Sequence, residues 1–164
     1  MSYKVKKAVV LGSGVMGSGI ACHLANVGID VLMLDIQPND KSIKNKNLIA
    51  DESLKNAIKS RPNPLYKKEY AKRITTGNFD DDFEKIKNAD WIIEVIVENL
   101  EIKRKVFEKV EKFKSDHAFV TSNNLKYLGG LKKCVPQNLD LKLSDLPSHK
   151  SDIGILDVFE VTKA

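Results

Sequence analysis

Cysteine is scarce in this chain: Cys22 and Cys134 are the only two among 164 residues. Two thiols cannot build a disulfide framework or a four-ligand zinc site. No His/Cys cluster has metal-ligand spacing either, so no metal is expected. Aromatic residues make up 7% of the chain. The lysines are interleaved with acids and few aromatics, which speaks against a nucleic-acid platform. No apolar run approaches the ~20 residues that cross a bilayer, so no membrane span is expected. Met1-Ser2-Tyr3-Lys4 leads only into a short apolar stretch, which is not a secretory signal and favours a cytoplasmic location. Internal repeats and low-complexity tracts are missing. The composition excludes collagen, coiled coil, mucin and wholesale disorder.

What is present is ordinary for a globular domain. Hydrophobic residues make up 42%, and 27 Lys+Arg against 22 Asp+Glu leave a formal charge of +5. A chain of this length reads as one domain, able to bury roughly 68–70% of its unfolded surface. The surplus of lysine points to an anionic partner without naming it.

The pattern along the chain alternates strands and helices. Lys7–Leu11 is a short apolar run suited to a buried strand, and Gly12-Ser13-Gly14-Val15-Met16-Gly17 follows at once. Met16, Ile20, Leu24 and Val27 then recur at helical spacing, and Gly28 stands where a left-handed residue ends a helix. Asp30–Asp35 is a second buried strand. Strand, glycine turn, helix and strand make a βαβ unit, for which a right-handed parallel crossover is the default. From Lys41 to Arg73 the chain is polar, with ten Lys/Arg against three acids. A helix is expected near Asp51–Lys59, a break at Pro62 and Pro64, and a second helical piece over Tyr66–Arg73. Ile74-Thr75-Thr76 reads as a short strand. Asp80, Asp81 and Asp82 are placed to cap a brief helix running to Lys87. Trp91–Val97 and Ala118–Thr121 read as strands. Between them, Leu100–Phe113 is an amphipathic helix with Ile102, Val106, Val110 and Phe113 on one stripe. The expected fold is α/β, a doubly wound, mostly parallel sheet of the Rossmann type.

Gly-x-Gly-x-x-Gly here has a strand before it, a helix after it, and an acid at the end of the next strand. Gly12 allows the tight turn, Gly14 lets a pyrophosphate approach the backbone, and Gly17 lets the helix pack closely. The helix N-terminus presents unpaired N–H groups to the phosphates. Asp35, 21 residues after Gly14, can accept from both hydroxyls of an adenosine ribose. It would repel a 2′-phosphate, and Ile36-Gln37-Pro38 offers no arginine, so NAD is favoured over NADP. FAD uses the same motif and is the competing cofactor. Residue chemistry by itself reaches as far as dinucleotide binding.

Two stretches carry a closer resemblance. Gly12-Ser13-Gly14-Val15-Met16-Gly17-Ser18-Gly19-Ile20-Ala21 resembles the cofactor signature of the L-3-hydroxyacyl-CoA dehydrogenase family. Ala89-Asp90-Trp91-Ile92-Ile93-Glu94-Val95-Ile96-Val97-Glu98-Asn99-Leu100-Glu101-Ile102-Lys103 resembles its second signature. The resemblance runs from about Lys6 to Asn123 and is strongest to bacterial β-oxidation members. It implies an NAD-dependent oxidoreductase that oxidises the 3-hydroxyl of an acyl-CoA to a ketone in fatty-acid β-oxidation. It also implies that Glu98 and Lys103 contact the cofactor near the nicotinamide ribose, and it adds Val15 and Met16 to Gly12, Gly14, Gly17 and Asp35 as cofactor-binding candidates. The competing reading of Glu98 is that an acid there merely caps the following helix. Asp90 and Glu94 are read as a strand-end and a helix-facing polar group without a function. The lysine-rich segment Lys41–Arg73 corresponds to the family's excursion near CoA, whose phosphates suit charge-assisted contacts. The competing reading is a solvated face, and no single lysine is assigned.

The chain also departs from the family pattern. Where the family reads Ser-Asn-Thr-Ser, this chain has Ser122-Asn123-Asn124-Leu125, so Leu125 replaces the serine that contacts substrate. His149 and Glu160 lie eleven apart, close to the family's His–Glu spacing, but Lys150-Ser151-Asp152 follows the histidine and the spacing is read as accidental. His23 is read as a partly buried structural histidine and His117 as exposed. Tyr3–Lys7 precedes the first strand and makes no short-chain dehydrogenase dyad. No catalytic residue is assigned, and the substrate-binding residues are unknown. The expected organisation is a dinucleotide-binding domain over 1–124 and a divergent tail over 125–164, poorly ordered or frameshifted, with the family's helical dimerisation domain absent. The two functions left open are a dehydrogenase fragment that is catalytically incomplete alone and a non-catalytic NAD-binding module.

Overall fold

The computed structural model describes residues 4–123. Leu125, His149, Glu160 and the whole 125–164 tail lie outside the described residues. Five strands run parallel in one sheet: β1 (Lys7–Leu11), β2 (Asp30–Asp35), β3 (Ile74–Asn78), β4 (Trp91–Glu94) and β5 (Phe119–Ser122), in the order β3-β2-β1-β4-β5. Among the described residues three α-helices cover it: α1 (Val15–Asn26), α2 (Leu48–Lys59) and α3 (Leu100–Phe113). The doubly wound expectation is met.

Parallel strands bury both faces, so alternate residues feed two cores. Ala8, Val10 and Met33 point towards Ala21, Cys22 and Ala25 of α1 and Ala50 of α2. Val9, Leu11, Leu34 and Ile92 point towards Val106 and Val110 of α3 and towards Phe83 and Ile86. Gly28 leaves α1 at φ +89, as its place after the helix requires.

Several local expectations shift. The helix expected near Asp51 begins earlier, at Leu48. The pieces before and after β3 are 3₁₀ helices, Lys68–Arg73 and Phe83–Asn88. Asp82 precedes the latter but does not cap it with its side chain. Its carboxylate instead accepts from Asn78 N (2.9 Å) and from Lys85 Nζ (2.5 Å). β4 stops at Glu94, three residues short of Val97: Val95 N still donates to Leu11 O (2.8 Å), but the amide of Ile96 goes to the side-chain Oε1 of Glu94 (2.8 Å) rather than to a strand. β5 ends at Ser122 rather than Thr121. His23 is exposed, not partly buried, since its neighbours Cys22, Leu24 and Ala25 take the sheet-facing positions of α1. His117 is exposed as expected.

Candidate dinucleotide-binding site

In parallel α/β sheets the carboxyl ends of the strands point to one edge, and ligands bind where the chain's winding reverses. Here that place lies between β1 and β4, with α1 and α2 on one face and α3 on the other. The glycine turn follows β1 directly. Gly12 N donates to Leu34 O (2.8 Å), and Gly12 adopts φ +105. A Cβ on Gly12 would stand 2.7 Å from Val95 O, so the turn is pressed against the end of β4. A Cβ on Gly17 would lie 1.9 Å from Gly12 O. Gly17 therefore packs α1 closely onto the turn, with Val10 of β1 also 3.5 Å from that Cβ position.

Gly14 occupies the N-cap position of α1. It has no side chain to satisfy the first-turn amides, which have no carbonyl to meet within the helix. A Cβ there would meet nothing within 4 Å. The space over Gly14 is open to a ligand, and the helix N-terminus favours an anion in it. Val15 and Met16 project from the same edge, 90% and 51% exposed.

Asp35 ends β2 and turns back to this loop. Its Oδ2 accepts from Ser13 N (2.6 Å) and Ser13 Oγ (2.5 Å), and its Oδ1 from Ile36 N (2.7 Å). Ser13 is fully buried, and its Oγ lies 3.1 Å from Ser53 Oγ of α2. Ser13 escaped the sequence reading. The only available signal was a hydroxyl between two glycines, and its meaning depends on where Asp35 folds back. Gln37 Nε2 donates to Asn78 Oδ1 (3.0 Å), tying the loop after Asp35 to the end of β3.

At the other side of the crevice the structure revises the reading of α3. Asn99 caps the helix, its Oδ1 accepting from Glu101 N (3.0 Å) and Ile102 N (3.2 Å). The side-chain cap of α3 is thus Asn99, and Glu98 is an exposed residue just before it. Ile102, expected in the buried stripe, is 43% exposed. Lys103 takes the inward position with Val106 and Val110. Its Nζ donates to Glu94 Oε2 (3.0 Å), which also accepts from Ser122 Oγ (2.5 Å). Glu94, Lys103 and Ser122 thus form a buried cluster at the carboxyl ends of β4 and β5. Cys22 has no place in this chemistry: it is buried under α1, and that burial pushes its thiol up to about 11.

The sequence candidates Gly12, Gly14, Val15, Met16, Gly17, Asp35, Glu98 and Lys103 all belong to the carboxyl edge. The glycine cradle with its open space, the helix N-terminus and the carboxylate at the end of β2 together fit a dinucleotide. The fold and this edge define the class: a dinucleotide-binding domain with a doubly wound parallel sheet. The family model described as "3-hydroxyacyl-CoA dehydrogenase, NAD binding domain" matches residues 7–127, and the chain belongs to that family. It is 50% identical over 135 residues to a probable 3-hydroxyacyl-CoA dehydrogenase of Bacillus subtilis, covering 75% of this chain and 17% of the relative. It is 44% identical over 121 residues to a protein of the same description from Deinococcus radiodurans, covering 74% of this chain and 34% of the relative. Among solved structures, 3-hydroxybutyryl-CoA dehydrogenase from Escherichia coli superposes with a TM-score of 0.58 at 27% identity, covering 74% of this chain and 25% of that one. The chain thus spans at most about a third of the length of these relatives. NAD is the cofactor of the family, and among the described residues no helix is long and apolar enough to cross a membrane.

Proposed function

We propose that this chain is the cofactor-binding part of a cytoplasmic NAD-dependent 3-hydroxyacyl-CoA dehydrogenase of fatty-acid β-oxidation. The observation that carries the reading is the open cradle at Gly14, set on a helix N-terminus and flanked by Asp35. Gly12, Gly14, Val15, Met16 and Gly17 hold the pyrophosphate through backbone amides, and Asp35 receives the adenosine ribose. Asp35 Oδ1 uses one acceptor position on Ile36 N, and a carboxylate oxygen offers two. Glu98 and Lys103 serve the nicotinamide ribose. NAD, when bound, supplies the hydride acceptor.

The described residues supply binding and orientation rather than proton transfer. A general base must come within hydrogen-bond reach of the substrate hydroxyl. His23 lies in the last turn of α1 and His117 just ahead of β5, so both belong to the amino edge. Catalysis on an acyl-CoA then calls on groups beyond the described residues, and this chain alone is expected to show no detectable turnover of a 3-hydroxyacyl-CoA.

Fluorescence titration of the full chain with NADH and NADPH tests the reading. NADH is expected to bind more tightly, and Asp35→Ala to weaken NADH and narrow the gap. Gly14→Val is expected to abolish binding with the far-UV circular dichroism unchanged, because the added side chain enters open space in the protein. Equal affinity for both cofactors, or normal binding by Gly14→Val, would overturn the assignment. Robust oxidation of a short-chain L-3-hydroxyacyl-CoA by the chain alone would overturn the claim of incompleteness.

A further inference from the structure

We infer that Glu94 is a positioning residue for the nicotinamide-ribose half of the cofactor, acting through Lys103. The inference rests on the dinucleotide reading above and deepens it. Glu94 is fully buried and the side chain of Lys103 is 4% exposed. Their neighbours on the same faces, Ile92 on β4 and Val106 and Val110 on α3, are apolar. Two apolar side chains of similar size would fill this contact without any desolvation of charge, and such replacements are often neutral or stabilising. Packing alone therefore does not explain an ion pair here.

Its position does. The pair stands at the end of the α3 stripe nearest the carboxyl edge. Glu94 is in register with Leu11, the last residue before the glycine turn, and Val95 beside it contacts Gly12. The carboxylate of Glu94 is held from three directions, by Ile96 N, Lys103 Nζ and Ser122 Oγ, so its orientation is set. An ammonium carries three donors. Glu94 takes one from Lys103, and among the described residues no other acceptor meets this nitrogen. A ligand oxygen brought to this edge can accept a further N–H of the same ammonium.

The charge balance says which oxygen. Glu94 neutralises Lys103, so the pair offers little net attraction to a phosphate but still offers directed N–H groups. That suits a neutral acceptor, a sugar hydroxyl or a carboxamide carbonyl, which is the chemistry of the nicotinamide half. The phosphates are left to the glycine turn, where the amides of α1 are unopposed.

Isothermal titration calorimetry of the full chain with NADH and with ADP separates the two halves of the ligand. ADP carries the adenosine and pyrophosphate but neither the second ribose nor the nicotinamide. Glu94→Gln is expected to weaken NADH roughly 5- to 20-fold, the loss of about one hydrogen bond, while ADP stays within about twofold. The double variant Glu94→Gln/Lys103→Met, which leaves no unpaired charge in the core, is expected to show the same selective loss. It is also expected to be no weaker towards NADH than Lys103→Met alone, because Glu94 acts through the lysine. Equal weakening of NADH and ADP by Glu94→Gln would show a merely structural role and overturn the inference. So would unchanged NADH affinity in the double variant, or a double variant clearly weaker than Lys103→Met. Failure of the unmodified chain to bind ADP would instead overturn the dinucleotide reading itself.

Discussion

Strand β4 has a carboxylate at each end, and the two live under different conditions. Asp90, just before the strand, is partly exposed at the amino edge and its Oδ2 accepts from the amides of Lys6 and Lys7 (2.8 and 2.9 Å). Glu94, the last residue of the strand, is buried at the carboxyl edge against Lys103 and Ser122. Asp90 staples the entry of β1 to β4, and water around it screens its charge. Glu94 has no water to fall back on, so its partner must be a charge. The amino edge uses a carboxylate to hold the fold together. The carboxyl edge keeps one buried against a lysine beside the glycine turn, in a kind of contact that apolar side chains often fill equally well. A cavity of about 430 Å³ does open at the amino edge, lined by Lys7, Asp30, Thr75 and Arg73. It lies at the opposite edge from the glycine turn, the helix N-terminus and the buried ion pair.

The largest test of this contrast is Lys103→Ala. Removing one partner of a buried pair leaves an uncompensated charge, and the expected loss is roughly 3–5 kcal/mol of unfolding free energy. The paired replacement Glu94→Leu/Lys103→Leu is expected to recover most of it, read from urea denaturation midpoints at constant m-value. If the double variant is as unstable as the single one, the pair is a structural necessity and the contrast between the edges fails.

A smaller effect is expected at the other end. Partial burial would raise the pKa of Asp90, but the amide hydrogen bonds from Lys6 and Lys7, with the nearby charges of His117 and Lys6, outweigh it and hold the carboxyl below its ordinary 3.8. A depressed carboxylate contributes stability above its unfolded pKa and loses it as pH falls through the folded value. Asp90→Ala should therefore cost about 1–2 kcal/mol at neutral pH. The gap to the unmodified chain should close as pH drops below about 4. A gap that persists undiminished in acid would show that packing, not the charged staple, is lost.

The smallest effect belongs to His117, whose Nε2 lies 3.8 Å from Asp90 Oδ1 on an exposed side chain. Exposed pairs of this kind contribute little. His117→Gln is expected to shift stability by no more than about 0.5 kcal/mol. A larger, pH-dependent shift would make the amino edge an electrostatic site in its own right.

Much of the architecture was legible because it is built from short-range rules. The apolar runs at Lys7–Leu11 and Asp30–Asp35, the glycine turn and the amphipathic stretch from Leu100 need only local sterics and periodicity to be seen. The boundaries that moved are those decided by a distant partner. β4 ends early where Val95 N makes the last amide bond to β1, at Leu11 O, and the following amide, Ile96 N, goes to the Glu94 side chain. Asp82 faces Asn78 and Lys85 instead of the helix it precedes.

By itself the sequence determined that a strand, a glycine turn, a helix and an acid follow one another at dinucleotide-binding spacing, since covalent neighbours and backbone freedom are written residue by residue. Only the tertiary structure decided that Ser13 holds Asp35, and that Lys103 rather than Ile102 faces the sheet. Hydropathy favours the isoleucine, and neighbouring positions on a helix differ by about 100° around its axis. The choice falls to Lys103 because Glu94, nine residues earlier, is already buried on the facing strand, and a buried carboxylate requires a charge beside it.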